Sequence, residues 1–190
     1  IKEFKDEVNE LLIESKIQSE KNNILNAKGN VVVKFKGNIL NADNLIYDKL
    51  NKFAYATGNV LIKIKDQRFE AEKIEYDFIN KKGNLYNVKG LINTENIISD
   101  FDFKFDTELI ESTSIIPKIK KYQVLHTPSK AKYWILNTKK ITIDQNIWSS
   151  KKAFFTNDLL ESDQIKLEFN DLEVYSYSKK LKFKSKINYM

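Results

Sequence analysis

The side chains able to do chemistry are few in this sequence, and their spacing argues against a reaction centre. Asp43, Asp48, Glu72 and Asp77 offer carboxylates for acid/base work or for calcium. They stand beside turns and at matching offsets in a repeated pattern, which favours hydrogen bonding to nearby backbone over catalysis. His126, the only histidine, lies next to Thr127 and Pro128 in an expected loop, and no metal cluster or nucleophile-base pair can be built around it. There is no cysteine, which removes thiolate nucleophiles, disulfides and cysteine-bound zinc. No phosphate loop, dinucleotide fingerprint or serine elbow occurs. The expectation is a protein that is not an enzyme and uses neither cofactor nor metal.

Charge narrows the partners. The 190 residues carry 32 basic against 26 acidic side chains, a net charge of +6, with the signs interleaved throughout. Arg68 is the sole arginine, so the bidentate fork that reads guanine edges or clamps phosphate is almost missing, and nucleic acid is not an expected partner. Lys34, Lys36, Lys63 and Lys65 form a repeated row with two readings: a rim meeting lipid phosphates, or a solvated face that discourages edge pairing. Trp134 and Trp148 read as core packing or interface anchors, since neither sits on an amphipathic helix. No apolar run reaches the roughly 20 residues of a membrane-spanning helix. A start at Ile1 reads as a processed or excised fragment whose targeting signal lies elsewhere.

The elements around these residues follow from a repeat. Ala27-Lys28-Gly29-Asn30-Val31 returns as Ala56-Thr57-Gly58-Asn59-Val60, and the stretch from Ala42 to Asp48 returns from Ala71 to Asp77, both 29 residues on. Within each unit the apolar period is two: Val31, Val33 and Phe35, then Val60, Ile62 and Ile64, which predicts half-buried antiparallel strands. The Gly-Asn pair supplies positive φ and is expected to open each unit with a hairpin bend. Leu40 and Ala42 fall on one parity but Leu45 and Tyr47 on the other. The same switch separates Phe69 and Ala71 from Ile74 and Tyr76, predicting a bulge or corner. A weaker copy begins near Gly90 and continues into Phe101, Phe103 and Phe105. Phe4, Val8, Leu11 and Leu12 fall at helical spacing and predict one short amphipathic helix at the start. Residues 115–127, near Pro117 and Pro128, read as a connection, after which further strands follow through Tyr177.

The expected fold is therefore all-β: an elongated open jellyroll or sandwich of repeats with a short N-terminal helix. Residues 1–114 would hold the helix and the repeats, and residues 115–190 a continuation or a second β half. The inward positions Val31, Val33, Phe35, Leu40, Tyr47, Val60, Ile62, Ile64, Phe69 and Tyr76 would line either a dry core or an apolar groove. Period two reports burial but not what lies opposite.

The Ala-x-Gly-Asn-Val turns, followed at fixed distance by Ala-Asp/Glu-x-Leu/Ile-x-Tyr-Asp, resemble the OstA-type repeat of the lipopolysaccharide transport proteins LptA and the amino-terminal domain of LptD. The likeness covers residues 27–90. A second segment, Trp148 to Ala153 and on through Phe154-Phe155-Thr156-Asn157-Asp158, resembles divergent LptD-like proteins of cyanobacterial type, with Leu159 where proline is expected. The resemblance implies an open β-jellyroll whose groove, lined by the ten residues above, carries lipopolysaccharide acyl chains across the periplasm toward the outer membrane. It implies an LptA-like periplasmic bridge protein and an outer-membrane β-barrel as partners, and no catalysis. LptD proteins of the better-known type tie this domain to the barrel by disulfides; with no cysteine here, any coupling is noncovalent or the barrel is absent. A rival reading keeps the fold but makes it a periplasmic adaptor that docks partners by strand addition.

Overall fold

A computed structural model describes residues 11–100, 132–157, 166–177 and 180–189. Among the described residues eleven strands form one antiparallel sheet: β1 (Leu12–Glu14), β2 (Ile17–Lys21), β3 (Ile24–Phe35), β4 (Asn38–Asp48), β5 (Phe53–Ile64), β6 (Gln67–Asp77), β7 (Lys82–Asn93), β8 (Tyr133–Asp144), β9 (Ile147–Thr156), β10 (Lys166–Tyr177) and β11 (Lys180–Tyr189). From β3 onward each strand pairs with the next in sequence, a continuous meander. β1 and β2 pair side by side with the two halves of β3. A single helical turn, α1 (Ile97–Asp100), follows β7. Thr94 N–H, just past β7, donates to Lys132 C=O, just before β8, at 2.9 Å, and β8 pairs with β7.

Each long strand is two half-strands joined at a corner, and the corner explains the repeat. Gly29-Asn30 lies inside β3 and Gly58-Asn59 inside β5, each pair in the left-handed region (φ 75° and 49°, then 75° and 47°). Pairing slips at both places. Gly29 and Asn30 face the single residue Asp43, and Gly58 and Asn59 face the single residue Glu72, so each pair is a bulge that bends the strand. The hairpin expected at these glycines is thus replaced by a corner. True hairpins lie elsewhere, as at Lys36-Gly37, where two successive positive φ values (48° and 76°) match the right-handed twist of the flanking strands. The parity switches in β4 and β6 fall at the same corner. One extra residue there keeps Leu45, Tyr47, Ile74 and Tyr76 facing inward after the bend.

Bending every strand on one line folds the sheet over on itself. One layer holds the half-strands that contain Leu25, Leu45, Ala54, Tyr76 and Leu85. The other holds those that contain Val33, Leu40, Ile62, Phe69 and Ile92. The inner faces share one apolar cluster running from Leu25 to Leu172. This is an elongated open β-jellyroll, its sheet ending at β1/β2 on one side and β11 on the other. At the tip of the second layer the fully buried Gln67 amide acts as an extra ladder rung. Its Oε1 accepts from Asn93 N–H at 2.9 Å, and its Nε2 donates to Asn93 C=O at 3.2 Å and to Asp100 Oδ2 at 2.7 Å. The expected N-terminal helix rests on Phe4 and Val8, outside the described residues; Leu12 lies in β1. Phe101, Phe103, Phe105, Pro117, His126 and Pro128 also lie outside them.

Candidate functional site: an apolar trough between the layers

Small residues at the corner let the layers approach there. Ala27, Ala42, Ala56, Ala71 and Ala153 are buried along the inside of the bend, while large side chains occupy the half-strands on either side. Between the layers this leaves a cavity of about 180 Å³. Val33, Leu40, Ile62 and Ile64 wall it from one layer, and Ala54, Ile74, Tyr76 and Leu85 from the other. The lining exposed to this space is overwhelmingly apolar, so it suits hydrocarbon better than water.

Aromatic rings close the cavity toward the strand tips. Phe78, just past β6, meets Phe35 from the opposite layer edge-to-face with centroids 5.2 Å apart. It also meets Tyr76 at 4.9 Å and Tyr47 at 6.2 Å within its own layer. Burial, reinforced by the neighbouring Asp77 carboxylate, pushes the Tyr76 phenol above its ordinary pKa, so it remains a neutral donor in the trough. Lys36, Asn38, Lys81, Gln145 and Asn146 also border the cavity, and Lys36 Nζ lies 5.4 Å from the Phe35 ring centroid. Beyond Trp148 a second, smaller cavity of about 70 Å³ continues between the layers, lined by Ile92, Leu136, Leu172, Val174 and Leu181.

Of the ten inward positions named from sequence, Val33, Phe35, Leu40, Ile62, Ile64 and Tyr76 line the larger cavity and Phe69 the smaller. Val31, Val60 and Tyr47 are buried but line neither. Sequence reasoning missed Leu45, Ala54, Ala56, Ile74 and Phe78, and from later strands Leu85, Ile143 and Trp148. Leu45 and Ile74 carried a signal, since they share the parity of Tyr47 and Tyr76 after the switch. The alanines carried none, because a cavity is made where side chains are small.

The carboxylates are structural. Asp48 accepts the backbone N–H groups of Leu50 and Asn51 at 2.9 Å each, plus Asn51 Nδ2 at 2.7 Å. Asp77 repeats the arrangement with Ile79 and Asn80. These bonds hold both carboxyls below the ordinary aspartate pKa, the Asn51 and Asn80 backbone donors first among the causes. At the corners Asp43 accepts from Asn59 Nδ2 at 2.8 Å, and Glu72 accepts from Asn87. Among the described residues no group of acidic or histidine side chains is placed to hold a metal ion. Lys34, Lys36, Lys63 and Lys65 are exposed, Lys34 pairing with Glu14 at 3.2 Å. Trp134 packs partly buried against the core.

Fold and cavity together define a class: open β-jellyrolls with an apolar cavity between their two layers. The chain belongs to the OstA-like protein family, whose sequence profile matches residues 2–113. That family works in the transport of lipopolysaccharide across the periplasm. No curated protein matches the chain. Among the described residues no helix is long and apolar enough to cross a membrane, which says nothing of crossing by strands.

Proposed function

We propose that this chain binds the acyl chains of lipopolysaccharide in its trough and passes them toward an outer-membrane barrel, with no chemical step of its own. The observation that carries the reading is the apolar, two-walled cavity built from both layers. Each buried methylene is worth about 0.8 kcal/mol, so an acyl chain of roughly a dozen carbons needs cover worth on the order of 10 kcal/mol to cross water. The apolar walls of the cavity supply cover of that kind. A chain longer than the present cavity enters as the layers part at Phe35 and Phe78, whose edge-to-face contact is worth only about 0.5–1.5 kcal/mol. An LptA-like neighbour would add a strand at an open sheet edge, aligning one trough with the next, and residues 132–189 would extend the same conduit.

The test is site-specific photo-crosslinking to lipopolysaccharide from Val33 or Ile62, with Lys63 as the outward control one residue away. Adducts from Val33 and Ile62 and none from Lys63 are expected. Labelling from Lys63 alone would refute the trough. Protein adducts at β11 with no lipid adduct anywhere would favour the adaptor instead.

A further inference from the structure

The two cavities share one wall. Trp148 lines both, and its ring packs against Phe69 of the opposite layer with centroids 5.6 Å apart. Phe69 is fixed from behind. It is 1% exposed, and Gly90 beneath it carries no Cβ; one built there would lie 3.0 Å from Phe69 Cδ1 and 3.3 Å from Leu136 Cβ. The ring therefore rests on bare backbone and has no room to retreat. Trp148 comes from β9 and Phe69 from β6, so the pair bridges the layers across the interior. On one side lies the larger cavity, lined from β3 to β8, and on the other the smaller one, which reaches Leu181 and Phe183 of β11. Asn146 also borders both cavities, so the indole is the apolar part of the partition between them.

We infer that Trp148 is an end stop that limits how much of a hydrocarbon chain the larger cavity accepts, so that the protein selects guests by chain length. The inference rests on the lipid-carrier reading above and adds what that reading lacks, a residue that sets the length. A single unbranched acyl chain is the ligand class that fits, since the walls on either side of the indole are predominantly apolar, aliphatic and aromatic, and the ring stands across the way between them.

The experiment titrates the full chain with saturated fatty acids of about 8 to about 18 carbons, by displacement of a fluorescent fatty-acid analogue. While a growing chain still gains buried methylenes, affinity climbs about fourfold per carbon, the equivalent of about 0.8 kcal/mol. In the native protein the climb is expected to stop at the length that reaches Trp148. In Trp148→Ala it should continue for at least two further carbons, about a 15-fold gain for the longer acid. Trp148→Phe, which keeps a ring, should hold the native plateau. A second readout needs no change at Trp148. In Trp134→Phe the remaining indole reports alone, and a bromine at the methyl end of a plateau-length acid should quench it far more than one near the carboxyl. Quenching independent of bromine position, or a plateau that does not move in Trp148→Ala, overturns the end stop while leaving the carrier standing. Failure of every acid to bind overturns the carrier reading and the end stop with it.

Discussion

Ala54 tests whether the trough is truly vacant. Its side chain faces the larger cavity from β5, between Tyr47 of β4 and Tyr76 of β6, and the other cavity-lining residue of its own half-strand is Ala56. Ala54→Ile adds three carbons to that void. At about 0.8 kcal/mol each they contribute about 2 kcal/mol of burial, and the preference of strands for branched side chains acts in the same direction. For a chain of this size that corresponds to a rise in Tm of roughly 5 °C. The same carbons occupy room a guest would use, and each displaced methylene should weaken hydrocarbon binding about fourfold. Urea and thermal unfolding without lipid, followed by fatty-acid displacement on the same preparation, should show stability rising as affinity falls. A variant no more stable than the parent would mean there is no vacancy at Ala54. A more stable variant with unchanged affinity would place the guest elsewhere.

Gly58→Ala should cost about 1–3 kcal/mol in urea unfolding, because the new methyl would lie 2.6 Å from Asp43 Oδ2 at a backbone with φ of 75°. Gly37→Ala, at the same sort of φ but with nothing within 4 Å, should cost about 1 kcal/mol, so similar losses at both sites would contradict the corner contact. The Asp77 carboxyl titrates below its ordinary value in the folded chain. Its contribution is therefore present above the unfolded aspartate pKa of about 3.9 and is lost as pH falls through the lower folded value. Asp77→Asn keeps an acceptor oxygen for Ile79 and Asn80 but removes the titration, so its urea midpoint should fall less between about pH 5 and about pH 2 than that of the parent.

Much of this architecture was legible because a half-buried strand writes its burial in period two. Val31, Val33, Ile62 and Ile64 alternate as they pack, and the parity switch after Ala42 and Ala71 marked a corner that exists. The Gly-Asn pairs were read as hairpins for a physical reason: positive φ is needed both to reverse a chain and to bulge it. Only the pairing partner, Asp43 or Glu72, separates the two outcomes. Phe78 was missed because it lies past the end of β6, yet it becomes the meeting point of three rings. Trp148 was weighed as packing or anchor, and its place between two cavities depends on Phe69, about eighty residues away in sequence and not local to any motif.

The alanines of the corner decide whether the trough is a designed taper or loose packing. Where the layers join, side chains must be small for the bend to close. Away from the corner the layers diverge, and a small residue leaves space instead of filling it. One substitution should therefore have opposite effects at two positions on the inner face of the same layer. Ala27 is fully buried in β3, pairs with Leu45 and lines neither cavity. Ala27→Ile forces three carbons into a packed corner, and overpacking of this kind costs about 1–3 kcal/mol. Ala54→Ile, chemically the same change, stabilises. The pair measured side by side in urea cancels whatever isoleucine does to the unfolded chain, leaving only geometry. Losses at both sites would mean the layers are closely packed throughout, and gains at both would mean the corner is as loose as the trough. A carrier needs the split, because the tight corner keeps the two walls in register while the vacancy between them admits a guest.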